Sequence, residues 1–160
     1  MRTVFSAGNT SIISQVMRHY QIDVLGITEA RWTGSGVCKL KTGEIIYYSG
    51  NMEDNPQHLH GTAFMLSKQT SKTILSWEPV SDRIITLRLN SNFQKTTIIT
   101  VYTPTNETEK ALKEAFYQKL QSVIDKTPKK DIIILMGDLN AKIGKNNCGK
   151  EKIMGKEGLG

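Results

Sequence analysis

The sequence predicts an α+β fold in which antiparallel strands are mixed with βα units. Two short apolar runs, in residues 22–28 (IDVLGIT) and 132–136 (IIILM), are rich in β-branched side chains and too short for isolated helices. They read as strands buried on both faces. Residues 83–102 alternate apolar and polar side chains around a turn at 90–93, the pattern of an antiparallel hairpin. Two longer stretches, 6–21 and 106–126, carry apolar residues at helical spacing. A purely parallel, doubly wound sheet would not contain the hairpin.

Taken in order, residues 6–21 offer cap candidates at Asn9, Thr10 and Ser11. Ile12, Ile13, Val16, Met17 and Tyr20 then share one helical face. The strand at 22–28 delivers a carboxylate, Glu29, ahead of a loop at 30–36. Residues 43–50 and 62–67 are strands separated by a polar loop that holds His58 and His60. No further ligand lies near those two histidines in sequence, so they read as solvated loop residues. A short strand around Ile74 and Trp77 is expected to stop at Pro79, which cannot donate to a ladder. Ile85, Leu87 and Leu89 form one face of the next strand, with Arg83 assigned to the other. After the turn, Thr97, Ile99 and Val101 oppose Ile98, Thr100 and Tyr102. Asn106 and Glu109 have capping-box spacing. The helix that follows would bury Leu112, Phe116, Leu120, Val123 and Ile124, and end before Pro128 and the Lys129, Lys130 pair.

Length and composition bound the possibilities. A chain of 160 residues supports one globular domain over 1–160, and its apolar and charged shares do not suggest disorder. No apolar run reaches membrane-spanning length, and no secretory signal is evident, so an intracellular protein that does not engage a membrane is expected. Cys38 and Cys148 stand far apart in no metal-like spacing and read as reduced bystander thiols. The net charge of +6 suits a polyanionic partner without identifying one.

The chemistry gathers at strand ends. Gly137 permits a tight turn, and Asp138 and Asn140 follow the end of a buried strand, as Glu29 does earlier in the chain. If those strands are neighbours, the carboxylates meet at one rim of a sheet. Magnesium binds through one or two carboxylates together with substrate phosphate. A tyrosine hydroxyl such as that of Tyr102, and an asparagine amide, can donate to a phosphoryl oxygen as charge builds. The same residues allow a plainer reading, with Asp138 capping the next turn and Tyr102 a core aromatic whose hydroxyl sits in water. A phosphate-loop reading of 137–146 fails, because six residues separate Gly137 from Gly144 where four are needed, and Asn146 replaces the required hydroxyl.

The motifs LGITEARW around Glu29, VYTPTN around Tyr102 and MGDLNAKIG around Asp138 resemble, in order and approximate spacing, the endonuclease/exonuclease/phosphatase family. With RWTGSG, YYSG, RIIT and MGKEGLG, the pattern is similar to the endonuclease domains of non-LTR retrotransposons and the craniofacial development protein 2 group. The resemblance implies a four-layer α/β/β/α sandwich that cleaves DNA with magnesium, or manganese in its place. Matched by motif, Glu29 would hold the metal, Tyr102 would stabilise the phosphoryl transition state, Asp138 would orient or deprotonate the attacking water, and Asn140 would hold the scissile phosphate. Arg31, the 34–36 loop and Asn106 would lie near the DNA. The implied setting is nuclear, within a longer polypeptide that carries a reverse transcriptase. Two departures stand out: the family's first-strand asparagine has no counterpart before Met1, and its later aspartate and terminal Asp-His pair have none by Gly160. His19, His58 and His60 match none of these contexts. The expectation is therefore an incomplete domain with impaired catalysis and an open strand edge, or else a remnant that binds nucleic acid without cleaving it.

Overall fold

The structure, a computed structural model, describes residues 7–52, 59–140, 148–149 and 151. His58, the segment before Ala7, most of the loop after Asn140 and the MGKEGLG segment lie outside the described residues. Two four-stranded sheets dominate. The first contains β1 (Val24–Ile27), β2 (Ser35–Lys39), β3 (Ile45–Ser49) and β4 (Thr62–Leu66) in the order β1-β4-β3-β2, all antiparallel. The second contains β5 (Ile74–Ser81), β6 (Ile84–Leu89), β7 (Thr96–Tyr102) and β8 (Ile132–Asp138) in sequence order. Its first three strands are antiparallel. β8 runs parallel to β7, which requires the crossover supplied by the helix α2 (Lys110–Lys126).

Alternation along the strands builds the layers. Phe64 and Leu66 point inward from β4 and meet Ile85, Leu87, Leu89 and Ile98 of the second sheet. Ala63 and Met65, on the other face of β4, pack with Met17 of the helix α1 (Ala7–His19). On the far side, Ile84, Ile99 and Val101 lie beneath Phe116 and Leu120 of α2. The order is α1, first sheet, second sheet, α2, the four-layer sandwich expected. The sheets approach closely at Gly26, where an added Cβ would stand 2.8 Å from both Met136 Cε and Thr100 Oγ1.

Several expectations are corrected. β8 is an edge strand, with Ile132, Ile133, Ile134 and Leu135 each between 40% and 47% exposed, so it is not buried on both faces. Its apolar run reflects half-covered faces on either side, and among the described residues no strand pairs with its outer edge. α1 is already formed at Ala7, the first described residue, so Asn9 to Ser11 lie inside the helix. It buries Ser14 and Met17 while Ile12, Val16 and Tyr20 stay exposed. α2 starts at Lys110 with Glu109 at its cap position and no side-chain cap. Asn106 therefore lies in the preceding turn, and Leu112 is exposed. β5 continues past Pro79 to Ser81. As an edge strand it tolerates a residue with no N–H, and its register shifts just there. β2 falls partly within the expected 30–36 loop.

Candidate active site

Glu29 and Asp138 do converge, but across the sandwich and not within one sheet. Glu29 follows β1 of the first sheet, and Asp138 ends β8 of the second, beside Tyr102 in the β7–β8 register. The link is the Tyr102 hydroxyl, which donates to Glu29 Oε1 at 2.9 Å. Burial, then the hydrogen bond and charge of Glu29, raise the Tyr102 pKa. Asp138 adds in the same direction, and Arg83 opposes. At neutral pH the phenol therefore keeps its proton and remains a donor.

The first-sheet side is fastened by backbone. Glu29 and Arg31 adopt left-handed φ values of 53° and 57°, uncommon for residues with side chains. The Ala30 N–H donates to Gly61 O at 2.9 Å, the Arg31 N–H donates to His60 O, and the Gly61 N–H donates to Asp82 O at 3.0 Å. The strand end, the entry to β4 and the β5–β6 turn are thus stitched together, which fixes the direction of Glu29. Arg31 Nη2 lies 3.3 Å from Glu29 Oε2.

On the second-sheet side, Gly137 has φ +130°, and an added Cβ would stand 2.0 Å from Val101 O. Only glycine lets β8 lie against β7 at this point. The Thr103 N–H donates to Asp138 O at 2.9 Å. Asp138 Oδ1 accepts the Asn140 N–H at 3.0 Å, and Asn140 Nδ2 donates to Thr103 O at 2.9 Å, with Asn140 at φ 41°. Asp138 does cap its turn, as the plainer reading held. That bond uses one carboxylate oxygen and orients the other.

Two residues at the rim were not singled out from the sequence. Arg83, assigned there to the outer face, instead places its guanidinium carbon 5.0 Å from the Tyr102 ring centre. It donates from Nη1 to Tyr102 O at 3.2 Å and sets Nη2 2.9 Å from His60 Nε2. His60 is half-buried and its ring lies 5.8 Å from that of Tyr102, so it is not a solvated loop residue. Burial, then the Arg83 charge, lower its pKa, leaving a neutral ring whose Nε2 accepts from Arg83. The one available signal was period-2 counting, which gives Arg83 the same parity as the inward-facing Ile85. Asn106 is exposed, its carbonyl accepting from Lys113 Nζ at 3.1 Å, and none of its contacts ties it to Glu29, Tyr102 or Asp138.

Among the described residues no group of three or more histidine, cysteine, aspartate or glutamate side chains is gathered to hold a metal ion. The donor set that exists suits a hard cation bound lightly. The Glu29 side chain is 46% exposed, and each of its oxygens accepts one donor, so lone pairs remain for an ion that keeps water and substrate oxygens.

Two stacked sheets flanked by a helix on each outer face, with carboxylates from opposing sheets meeting at a protonated tyrosine, define a four-layer α/β/β/α fold with a polar site at the rim between its sheets. The profile described as the Endonuclease/Exonuclease/phosphatase family matches residues 6–147, and the chain belongs to that family. Craniofacial development protein 2 of Bos taurus is 33% identical over 153 residues, covering 96% of this chain and 25% of that protein. The crystal structure of D. rerio TDP2 complexed with single-strand DNA product superposes with a TM-score of 0.58 at 15% identity, over 83% of this chain and 54% of that one. The endonuclease domain of TRAS1, a telomere-specific non-LTR retrotransposon, gives a TM-score of 0.56 at 14% identity, over 92% and 62%. The chain thus spans a quarter of the length of the cattle protein and little more than half of these solved chains.

Proposed function

We propose that this chain carries the phosphodiester-cleaving site of a retrotransposon-type DNA endonuclease that works with magnesium, or manganese in its place. The observation that carries the reading is the 2.9 Å bond from Tyr102 to Glu29 across the two sheets, with Asp138 next to Tyr102 in register. Glu29 would hold the cation, which when bound would supply positive charge to the phosphoryl oxygens. The Tyr102 hydroxyl, which donates to Glu29 in the resting site, turns its proton to a non-bridging oxygen, where negative charge grows in the transition state. Asp138, with Oδ1 fixed by the Asn140 N–H, presents Oδ2 to the attacking water and takes its proton as the new P–O bond forms and the opposite P–O bond breaks, the leaving oxygen taking a proton from solvent. The second amide hydrogen of Asn140 points the scissile phosphate toward that water, its first being occupied by Thr103 O. Arg31 and Asn106 face the DNA backbone on either side.

The test is nicking of supercoiled plasmid by the purified chain in magnesium or in EDTA, beside Glu29→Ala and Asp138→Ala. Slow magnesium-dependent nicking, in line with the impaired catalysis expected, that each substitution lowers by about a further 10² or more is expected. A folded chain that binds plasmid without nicking it would overturn the enzymatic reading in favour of a nucleic-acid-binding remnant.

A further inference from the structure

The opposite end of the second sheet carries a different surface. Six residues of paired strand separate Tyr102 from Thr96, so the β6–β7 hairpin lies about 20 Å from the candidate active site. At its tip Phe93 is 102% exposed. A single exposed aromatic is unremarkable by itself. This one sits on a hairpin fastened to the turn between α2 and β8. Gln94 Nε2 donates to Lys130 O, the Ile132 N–H donates to Lys95 O at 2.9 Å, and Ser91 Oγ donates to Gln94 O. The shallow cleft between hairpin and turn is lined by Phe93, Lys95, Lys129 and Lys130, with Arg88 and Asp131 at its floor. Asp131, the one carboxylate there, is consumed by Arg88 through bonds of 2.6 and 3.0 Å and by the Thr97 hydroxyl at 2.9 Å. Among the described residues Lys129 and Lys130 make no ion pair.

We infer that this cleft binds single-stranded DNA, with an unpaired base stacked on Phe93 and the flanking phosphates on Lys95, Lys129 and Lys130. Lysines set around a bare aromatic ring fit a chain of phosphates with free base faces. A duplex keeps its base faces stacked inside and offers Phe93 nothing to cover it. Specificity for sequence is not built in. The Gln94 amide nitrogen and the Ser91 hydroxyl are spent on holding the hairpin, so little remains to read base edges or a 2′-hydroxyl. The inference does not depend on the cleavage reading, because it concerns binding at the other pole and is measured without metal.

The experiment is fluorescence anisotropy of labelled twelve-residue oligo(dT) with the full chain in EDTA. Phe93→Ala should weaken binding about tenfold, and Phe93→Trp should restore it. Lys129→Ala with Lys130→Ala should lower the slope of log K against log salt by about 1.4, the contribution of two single-strand phosphates. Because Phe93 packs against nothing, its substitution should leave the thermal midpoint unchanged. Binding indifferent to both Phe93→Ala and the lysine pair, or capture of oligo(U) but not oligo(dT), would each overturn the assignment.

Discussion

The two ends of the second sheet are made by the same strands and do opposite things with them. At the carboxyl ends of β7 and β8, carboxylates and a phenol are drawn inward, and Glu29 and Arg31 hold uncommon backbone angles to meet them. At the amino end, cations and a bare aromatic ring are turned outward on a hairpin whose own polar groups fasten it in place. The first end is specified by contacts between residues far apart in sequence. The second is built within one sheet, where bonds spanning 34 to 43 residues tie the hairpin and its strands to the turn before β8. Chemistry that must place several groups around one phosphorus atom needs long-range scaffolding, whereas a stacking platform needs only a rigid loop and charge.

Substitutions should separate the ends. Tyr102→Phe keeps the ring under Arg83 but removes the donor, and is expected to slow plasmid nicking by about 10² while leaving oligo(dT) anisotropy untouched. A parallel loss of both would mean the poles are not independent. Gly137→Ala sets a Cβ 2.0 Å from Val101 O at φ +130°, and should cost about 3 kcal/mol of stability in urea titrations. Ser91→Ala on the hairpin, which removes one loop bond, should cost about 1 kcal/mol. Arg83→Lys loses the fork that grips Tyr102 O and His60 together, and should lower the nicking rate about tenfold without changing the apparent affinity for plasmid. The smallest effect is one of pH. The Arg88 hydrogen bond, with help from Thr97, holds the Asp131 pKa below its usual value. A carboxylate depressed in the folded state adds stability above its unfolded pKa, near 3.9, and that stability is lost as pH falls through the folded value. Asp131→Asn should therefore lower the thermal midpoint at pH 7 and matter progressively less below pH 4.

How much was legible in the sequence follows the same division. Apolar periodicity located β1, β3, β4, β6, β7 and β8 closely, because alternation and short β-branched runs are local signals. β2 was missed because its SGVCK segment is short and mostly exposed, and carries no apolar face. Burial of β8 was overestimated, since an unbroken apolar run reads alike in a central strand and in an edge strand with two half-covered faces. Glu29, Tyr102, Asp138 and Asn140 were visible as polar groups at strand ends. That Glu29 and Asp138 belong to different sheets was not, because strand order across a sandwich leaves no mark on composition. Arg83 and His60 were read as an outer-face residue and a solvated loop residue for a related reason, being joined to Tyr102 over 19 and 42 residues of chain.

The central claim is that residues from two sheets form one catalytic unit, and a double-mutant cycle on plasmid nicking in magnesium tests it most directly. Glu29→Ala and Asp138→Ala should each reduce the rate by about 10² or more, and the double variant should be hardly slower than the slower single one, since a unit broken once has little left to lose. Losses that multiply, giving a double variant slower by the product of the two single effects, would show that Glu29 and Asp138 act independently and would contradict the account.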